Sequence, residues 1–122
     1  MLNLNEIESE KYISLETYKK NNQAVRTPVW FVVKNNRIYV VTRDQTGKIK
    51  RLRNNQKIKI ATCNIKGKIS SQFTKGIAEI LSDIESRQVV IWRDKKYGIF
   101  SKIAKFLSQN KGQLVAISIK ID

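Results

Sequence analysis

The stretch Val25-Arg26-Thr27-Pro28-Val29-Trp30-Phe31-Val32-Val33, followed by Lys34-Asn35-Asn36 and then Arg37-Ile38-Tyr39-Val40-Val41-Thr42, decides how this chain folds. Its first part is mostly β-branched and aromatic, the composition of a strand. Pro28 lacks the N–H that a sheet ladder needs, so this strand must be an edge or be locally irregular. Asn tolerates positive φ, so Asn35-Asn36 suits a tight hairpin turn, and Arg37 to Thr42 is the returning strand. Upstream, Lys11 to Thr17 alternates apolar and polar residues as a half-buried strand does, and the polar Lys19 to Gln23 turns the chain into Val25. Two hairpins in succession predict a meander.

Downstream, the polar loop Arg43 to Gly47 leads into Lys48-Ile49-Lys50-Arg51-Leu52-Arg53, where Ile49 and Leu52 lie three residues apart and predict a short helix with one apolar stripe. Lys57 to Cys63 resumes strict alternation, Lys66-Gly67-Lys68 turns, and Phe73 to Leu81 is another strand. Ser82-Asp83-Ile84-Glu85 has capping-box spacing. It predicts a helix to about Lys96 that stops near Gly98, with a second helical stretch from Ile99 to Leu107. Gln113 to Ile121 alternates cleanly as the last strand. Six antiparallel strands with helices inserted late predict a mainly β (α+β) chain, a small barrel with short peripheral helices. With no repeat, low-complexity tract or linker, residues 1–122 are expected to form a single domain.

Composition removes whole classes of chemistry. The 122 residues include one cysteine and no histidine, which excludes Ser–His and Cys–His triads, His-containing zinc sites, CxxC redox pairs and disulfide frameworks within one chain. The five glycines are too far apart for a dinucleotide fingerprint. Thr46-Gly47-Lys48 fails as a P-loop, because Thr42 stands where the partner glycine belongs and Ile49 where Ser or Thr would follow. No apolar run reaches membrane-spanning length and Met1 to Glu6 lacks the regions of a signal peptide, so a soluble cytoplasmic protein with no membrane partner is expected.

Lysine and arginine number 24 against 10 acidic residues, a net charge of +14. Such an excess favours a polyanionic partner: nucleic acid, an anionic membrane surface, or a small molecule bearing phosphate or carboxylate. The densest cluster is Lys48, Lys50, Arg51 and Arg53, followed by Lys57 and Lys59, with no acidic residue between Asp44 and Glu79. Lys48 and Arg51 fall on one face of the short helix. A helix start presents unsatisfied N–H groups, and hydroxyls from Thr42 and Thr46 beside Gly47 would complete a phosphate cradle. A solvated basic helix after a loop accounts for the same residues. Pro28-Val29-Trp30-Phe31 offers exposed backbone and a flat apolar wall that could hold a planar heterocycle, although core packing accounts equally for Trp30 and Phe31. Trp92 and Phe100 are expected to be packing residues, and Cys63 a small core residue.

Taken together, Tyr12 to Thr17, Thr27-Pro28-Val29-Trp30-Phe31, Tyr39 to Thr42 with Thr46-Gly47-Lys48-Ile49-Lys50-Arg51-Leu52-Arg53-Asn54, Ala61-Thr62-Cys63 with Gly67, Gly76-Ile77-Ala78 and Lys96-Tyr97-Gly98 resemble the split-barrel flavin/deazaflavin oxidoreductase family related to pyridoxamine 5′-phosphate oxidase, in particular its small deazaflavin (F420)-dependent branch. The resemblance implies a six-stranded FMN-binding split barrel that forms a homodimer with two cofactor sites in grooves between subunits. It further implies that Thr42, Thr46, Gly47, Lys48 and Arg51 hold the cofactor phosphate and that Thr27, Pro28, Val29 and Trp30 line the isoalloxazine ring. Two departures stand out: Asn21-Asn22 replaces an Asp-Gly-like turn, and Gln56-Lys57 stands where the family tends to have Pro-Arg.

What the resemblance implies functionally is hydride transfer between F420 (preferred) or FMN and a small acceptor, with the chemistry supplied by the cofactor. The longer, more anionic tail of F420 would suit a basic groove beyond Lys48. The alternatives are a non-catalytic flavin or deazaflavin carrier and a nucleic-acid-binding small barrel. The last is disfavoured, because the aromatics are few and are not interleaved with the basic cluster.

Overall fold

A computed structural model of the chain describes residues 3–122. The start of the Met1 to Glu6 stretch lies outside the described residues. A short helix α1 (Leu4–Ile7) precedes seven strands: β1 (Tyr12–Tyr18), β2 (Ala24–Val29), β3 (Val32–Lys34), β4 (Arg37–Arg43), β5 (Lys57–Cys63), β6 (Thr74–Ile80) and β7 (Leu114–Ile121). Helix α2 (Gly47–Asn54) separates β4 from β5, and α3 (Asp83–Tyr97) and α4 (Ile99–Leu107) separate β6 from β7. All strand pairings are antiparallel, in the order β2-β1-β5-β6-β7-β4-β3.

That order corrects the sequence reading in one respect. Val25 to Val33 is not one strand but two, so the sheet has seven strands rather than six, and the two hairpins do not share a middle strand. β2 pairs only with β1 and β3 only with β4, so strands adjacent in sequence occupy opposite edges of the sheet. Only Trp30 and Phe31 connect them. Two linking residues span roughly 10 Å at most, so the sheet has to curl until its edges nearly meet. The result is an antiparallel split barrel, open between β2 and β3. Pro28 sits on the edge strand, opposite Ser14, where its missing N–H costs the ladder nothing.

Alternation sorts the side chains. Ile13 and Leu15 of β1, Ile38 and Val40 of β4, Ile58 and Ile60 of β5, Ala78 of β6 and Ile117 and Ile119 of β7 point inward and form one buried cluster with Phe31. Ile49 and Leu52 of α2 join that cluster, fully buried, so the short basic helix closes one end of the barrel with its apolar stripe. Gly76 lets β6 lie close to β7, since a Cβ there would sit 2.7 Å from the Lys120 carbonyl oxygen. Asn35 and Asn36 both have positive φ, as the tight β3–β4 turn requires. Ser82 and Glu85 form the reciprocal capping box that starts α3. On the outside, α3 lays Val89 and Trp92 over Val32, Tyr39, Val41 and Ala116, and the buried Ser86 hydroxyl accepts the Ala116 N–H at 2.9 Å.

Candidate functional site

At the end of β4 the chain turns into α2 with Thr46 as N-cap. Thr46 makes no capping bond to the helix; its hydroxyl donates to the Arg43 carbonyl at 2.8 Å and lies 3.3 Å from the Thr42 hydroxyl. The first-turn amides of α2 are therefore left without a side-chain acceptor, a feature that favours an anion. Arg51, one turn along, folds back over that first turn. A Cβ on Gly47 would lie 2.7 Å from the Arg51 Nη1, so only glycine leaves the guanidinium room there. Arg51 Nε donates to the fully buried Thr17 hydroxyl at 2.7 Å.

The electrostatics of this cluster are unbalanced. Burial lowers the pKa of Lys48, and repulsion from the Arg51 guanidinium lowers it further; burial also lowers that of Arg51. Among the described residues, the acidic partners of ion pairs are Glu16 and Asp94, and neither is held by Lys48 or Arg51. Two half-buried cations that repel each other beside free helix amides would be stabilised by a dianion such as a phosphate monoester. Gly47→Ala separates the functional role from the structural one. Alanine's gain at a helix start, up to about 1 kcal/mol, is offset by about 1 kcal/mol for the strained Arg51–Thr17 hydrogen bond, so stability should change little. The displaced guanidinium should nevertheless weaken binding of a phosphate-bearing ligand, which thermal melts and ligand titration of the same variant will read separately.

The second group of sequence candidates runs along β2. Val25, Thr27 and Val29 lie opposite Thr17, Leu15 and Ile13 of β1, so these three residues face the barrel interior, whereas Pro28 lies on the other, exposed face. The structure thus places Thr27 and Val29 together and turns Pro28 away from them. The Thr27 hydroxyl oxygen is buried and has no hydrogen-bond partner among the described residues. Such a group is normally satisfied, and a ligand is one way of satisfying it. Arg51 reaches Thr17, which pairs with Val25; Thr27 lies two residues further along the same face, roughly 7 Å away. Through Thr17 the cradle is anchored to β1, the strand on which β2 lies.

Trp30 takes a position that sequence reading left undecided. It is half-buried in the β2–β3 crossover, stacked on Tyr97 with ring centroids 4.4 Å apart and planes 10° apart. Phe31 is the core residue of the pair. The Tyr97 hydroxyl accepts the Phe31 N–H at 3.0 Å and lies 2.7 Å from the Lys11 carbonyl oxygen, to which it donates. Lys96 Nζ donates to the Phe31 carbonyl at 2.9 Å and sits 3.8 Å from the Phe31 ring centroid. Lys96 and Tyr97 therefore clasp the crossover that closes the barrel. Lys96-Tyr97-Gly98 was visible as a motif, but its role depends on the split between β2 and β3, which periodicity did not show. Trp30, Tyr97, Lys96, Tyr12, Phe100 and Glu8 line part of an open cavity of about 540 Å³. Phe100 departs from its expected packing role, being 63% exposed. Cys63 is buried, and burial pushes its thiol pKa up, away from reactivity.

The clasp has a pH signature. Burial lowers the Lys96 pKa from 10.5 to about 8, against a partial upward pull from Glu8 and Glu10. The unfolded chain binds the extra proton between those values, so this group makes stability rise with pH from about 8 to 10.5. Burial raises the pKa of both Tyr97 and Tyr18 from 10 to about 12, so their contributions are lost as pH rises from 10 to about 12. Urea unfolding across this range should give a maximum near pH 10, with the rising limb diminished in Lys96→Met.

The chain belongs to the pyridoxamine 5′-phosphate oxidase family, whose model matches residues 4–122. Solved structures share the fold. The heme storage protein HutZ from Vibrio cholerae superposes with a TM-score of 0.72 at 15% identity, covering 98% of this chain and 87% of that one. An FAD-binding protein from Mesorhizobium loti gives 0.68 at 17% identity, with 99% and 89% covered. An F420 reductase gives 0.67 at 12% identity, with 95% and 90% covered. At such identities the likeness is one of fold. No curated protein matches the chain.

Proposed function

We propose that this protein is a single-domain flavin-type oxidoreductase that binds F420 or FMN and passes a hydride between that cofactor and a small acceptor. The observation that carries the proposal is the pair Lys48 and Arg51, two half-buried cations that have no carboxylate partner among the described residues, set beside the uncapped amides of α2. Membership of a family that contains oxidases, and fold relatives named for FAD and F420, support a flavin-type ligand. Lys48, Arg51 and the hydroxyls of Thr42 and Thr46 would hold the phosphate, with Gly47 keeping the guanidinium in place. The unpartnered Thr27 hydroxyl, Val29 and Trp30 would line the ring, and Pro28 would contribute through its backbone. When bound, the ring supplies the two-electron chemistry; the chain binds, orients and shields it. A homodimer with the groove completed by a second subunit is part of the same proposal, as is the preference for F420, whose carboxylate tail would meet the lysines beyond Lys48.

A carrier that holds the cofactor without turnover is the second reading, favoured by the lack of a histidine to act as acid or base. A role resembling that of HutZ would have no imidazole with which to hold a heme iron. Reduced F420 or FMN bound to the protein, mixed anaerobically with menadione as a hydride acceptor, separates the two. An oxidoreductase accelerates reoxidation over the free cofactor; retention of reduced cofactor with no acceleration makes the protein a carrier.

A further inference from the structure

Helix α4 is inside out. Its exposed large apolar residues are Ile99 (70%), Phe100 (63%), Ile103 (52%), Phe106 (68%) and Leu107 (73%), while the small Ser101 is 1% exposed and faces the protein. Positions 99, 100, 103, 106 and 107 form one continuous stripe at helical spacing. A helix of a monomeric soluble protein turns such a stripe inward; here it turns outward, which marks a docking surface.

The surrounding charge indicates what docks there. Between Asp94 and Asp122 the sequence holds six lysines, at 95, 96, 102, 105, 111 and 120, and no acidic residue. Lys102 is exposed beside the stripe, and Lys95 and Lys111 are exposed beyond its ends. Asp94 is engaged by Arg93 at 3.2 Å and lies 3.9 Å from Lys105, so it offers little free negative charge. Ile65, 66% exposed and sharing a cavity with Phe100, extends the apolar surface, and exposed Lys66 and Lys68 flank it. Exposed Glu8 lines the cavity shared by Phe100 and Ile65 and Glu10 lies near Lys96, but the lysines around the stripe outnumber them. A second copy seated on this face would oppose mostly lysines to lysines, with no carboxylate on α4 to pair them. An anionic lipid surface would take up the apolar side chains and the lysine ammonium groups together.

We infer that α4, with Ile65, lies in the interface of anionic membranes and holds the protein there peripherally. The sequence expectation of no membrane partner rested on the lack of a spanning run. Among the described residues no helix is long and apolar enough to cross a membrane, and a helix lying in the interface needs no such length.

Co-sedimentation with phosphatidylcholine vesicles, with and without phosphatidylglycerol, tests the proposal. Wild type should partition onto the anionic vesicles, and not onto pure phosphatidylcholine, at an ionic strength of about 0.15 M. The triple variant Phe100→Ser, Phe106→Ser, Leu107→Ser should lose at least about tenfold in partitioning while keeping its circular dichroism, because all three side chains are exposed. Phe106→Trp should retain binding and shift its emission to the blue on the vesicles. Equal binding of the triple variant, equal binding to neutral vesicles, or no binding by wild type would each overturn the inference. A wild-type dimer that the triple variant converts to monomer, with no vesicle binding by either, would assign the stripe to a second copy instead.

Discussion

Arg51→Ala weakens binding of FMN or F420 by about ten- to a hundredfold while the protein stays folded. The guanidinium is placed to make charge-assisted hydrogen bonds to a phosphate, each of which is worth roughly 1.5–3 kcal/mol. Among the described residues its only hydrogen bond is the one to the Thr17 hydroxyl, so truncation costs the fold about 1 kcal/mol. Lys48→Ala should lose less, since an ammonium is a point charge without a bidentate fork. Its removal also relieves the repulsion on Arg51, so the double variant should lose less than the sum of the singles, as expected for groups that share one ligand. Isothermal titration of the three variants checks this. Undiminished binding in both singles would move the phosphate elsewhere.

Tyr97→Ala destabilises the protein by about 3–5 kcal/mol, the range for losing a buried aromatic side chain. The position carries more than burial. The ring stacks on Trp30, and the hydroxyl takes the Phe31 N–H and returns its proton to the Lys11 carbonyl. Tyr97→Phe keeps the stack and removes the hydroxyl, leaving the buried Phe31 N–H without its partner at a cost of about 1–3 kcal/mol. Because these bonds hold the β2–β3 crossover, both variants should also loosen the adjacent edge. Amide exchange of β2 and β3 should accelerate more than that of β5 and β6, which lie in the middle of the sheet. Uniform acceleration across all strands would make Tyr97 an ordinary core residue.

Local pattern carried most of this fold. The capping box at Ser82 and Glu85, the positive φ at Asn35 and Asn36 and the apolar pair Ile49 and Leu52 all occur as sequence spacing implied. Each depends on neighbours within a few residues. The break at Trp30-Phe31 does not: a continuous apolar run reads as one strand, and only pairing with β1 on one side and β4 on the other shows where it changes edge. The clasp by Lys96 and Tyr97 was hidden for the same reason, since its partners lie about 65 residues away. In the proposed cradle, the residue types Thr, Gly, Lys and Arg are the ground for expecting an anion, whereas the room Gly47 leaves for Arg51 needed coordinates. The outward face of α4 was also beyond sequence reading, because periodicity identifies an apolar stripe without saying which way it points.

The central claim is that an anionic flavin-type cofactor sits with its phosphate at the start of α2. Fluorescence titration of the purified protein with FMN and with F420, in parallel with Lys48→Ala/Arg51→Ala, tests it most directly. The account predicts saturable binding of at least one of them by wild type, and a loss of about a hundredfold or more in the double variant. Binding of neither cofactor by wild type, or equal binding by the double variant, would contradict it.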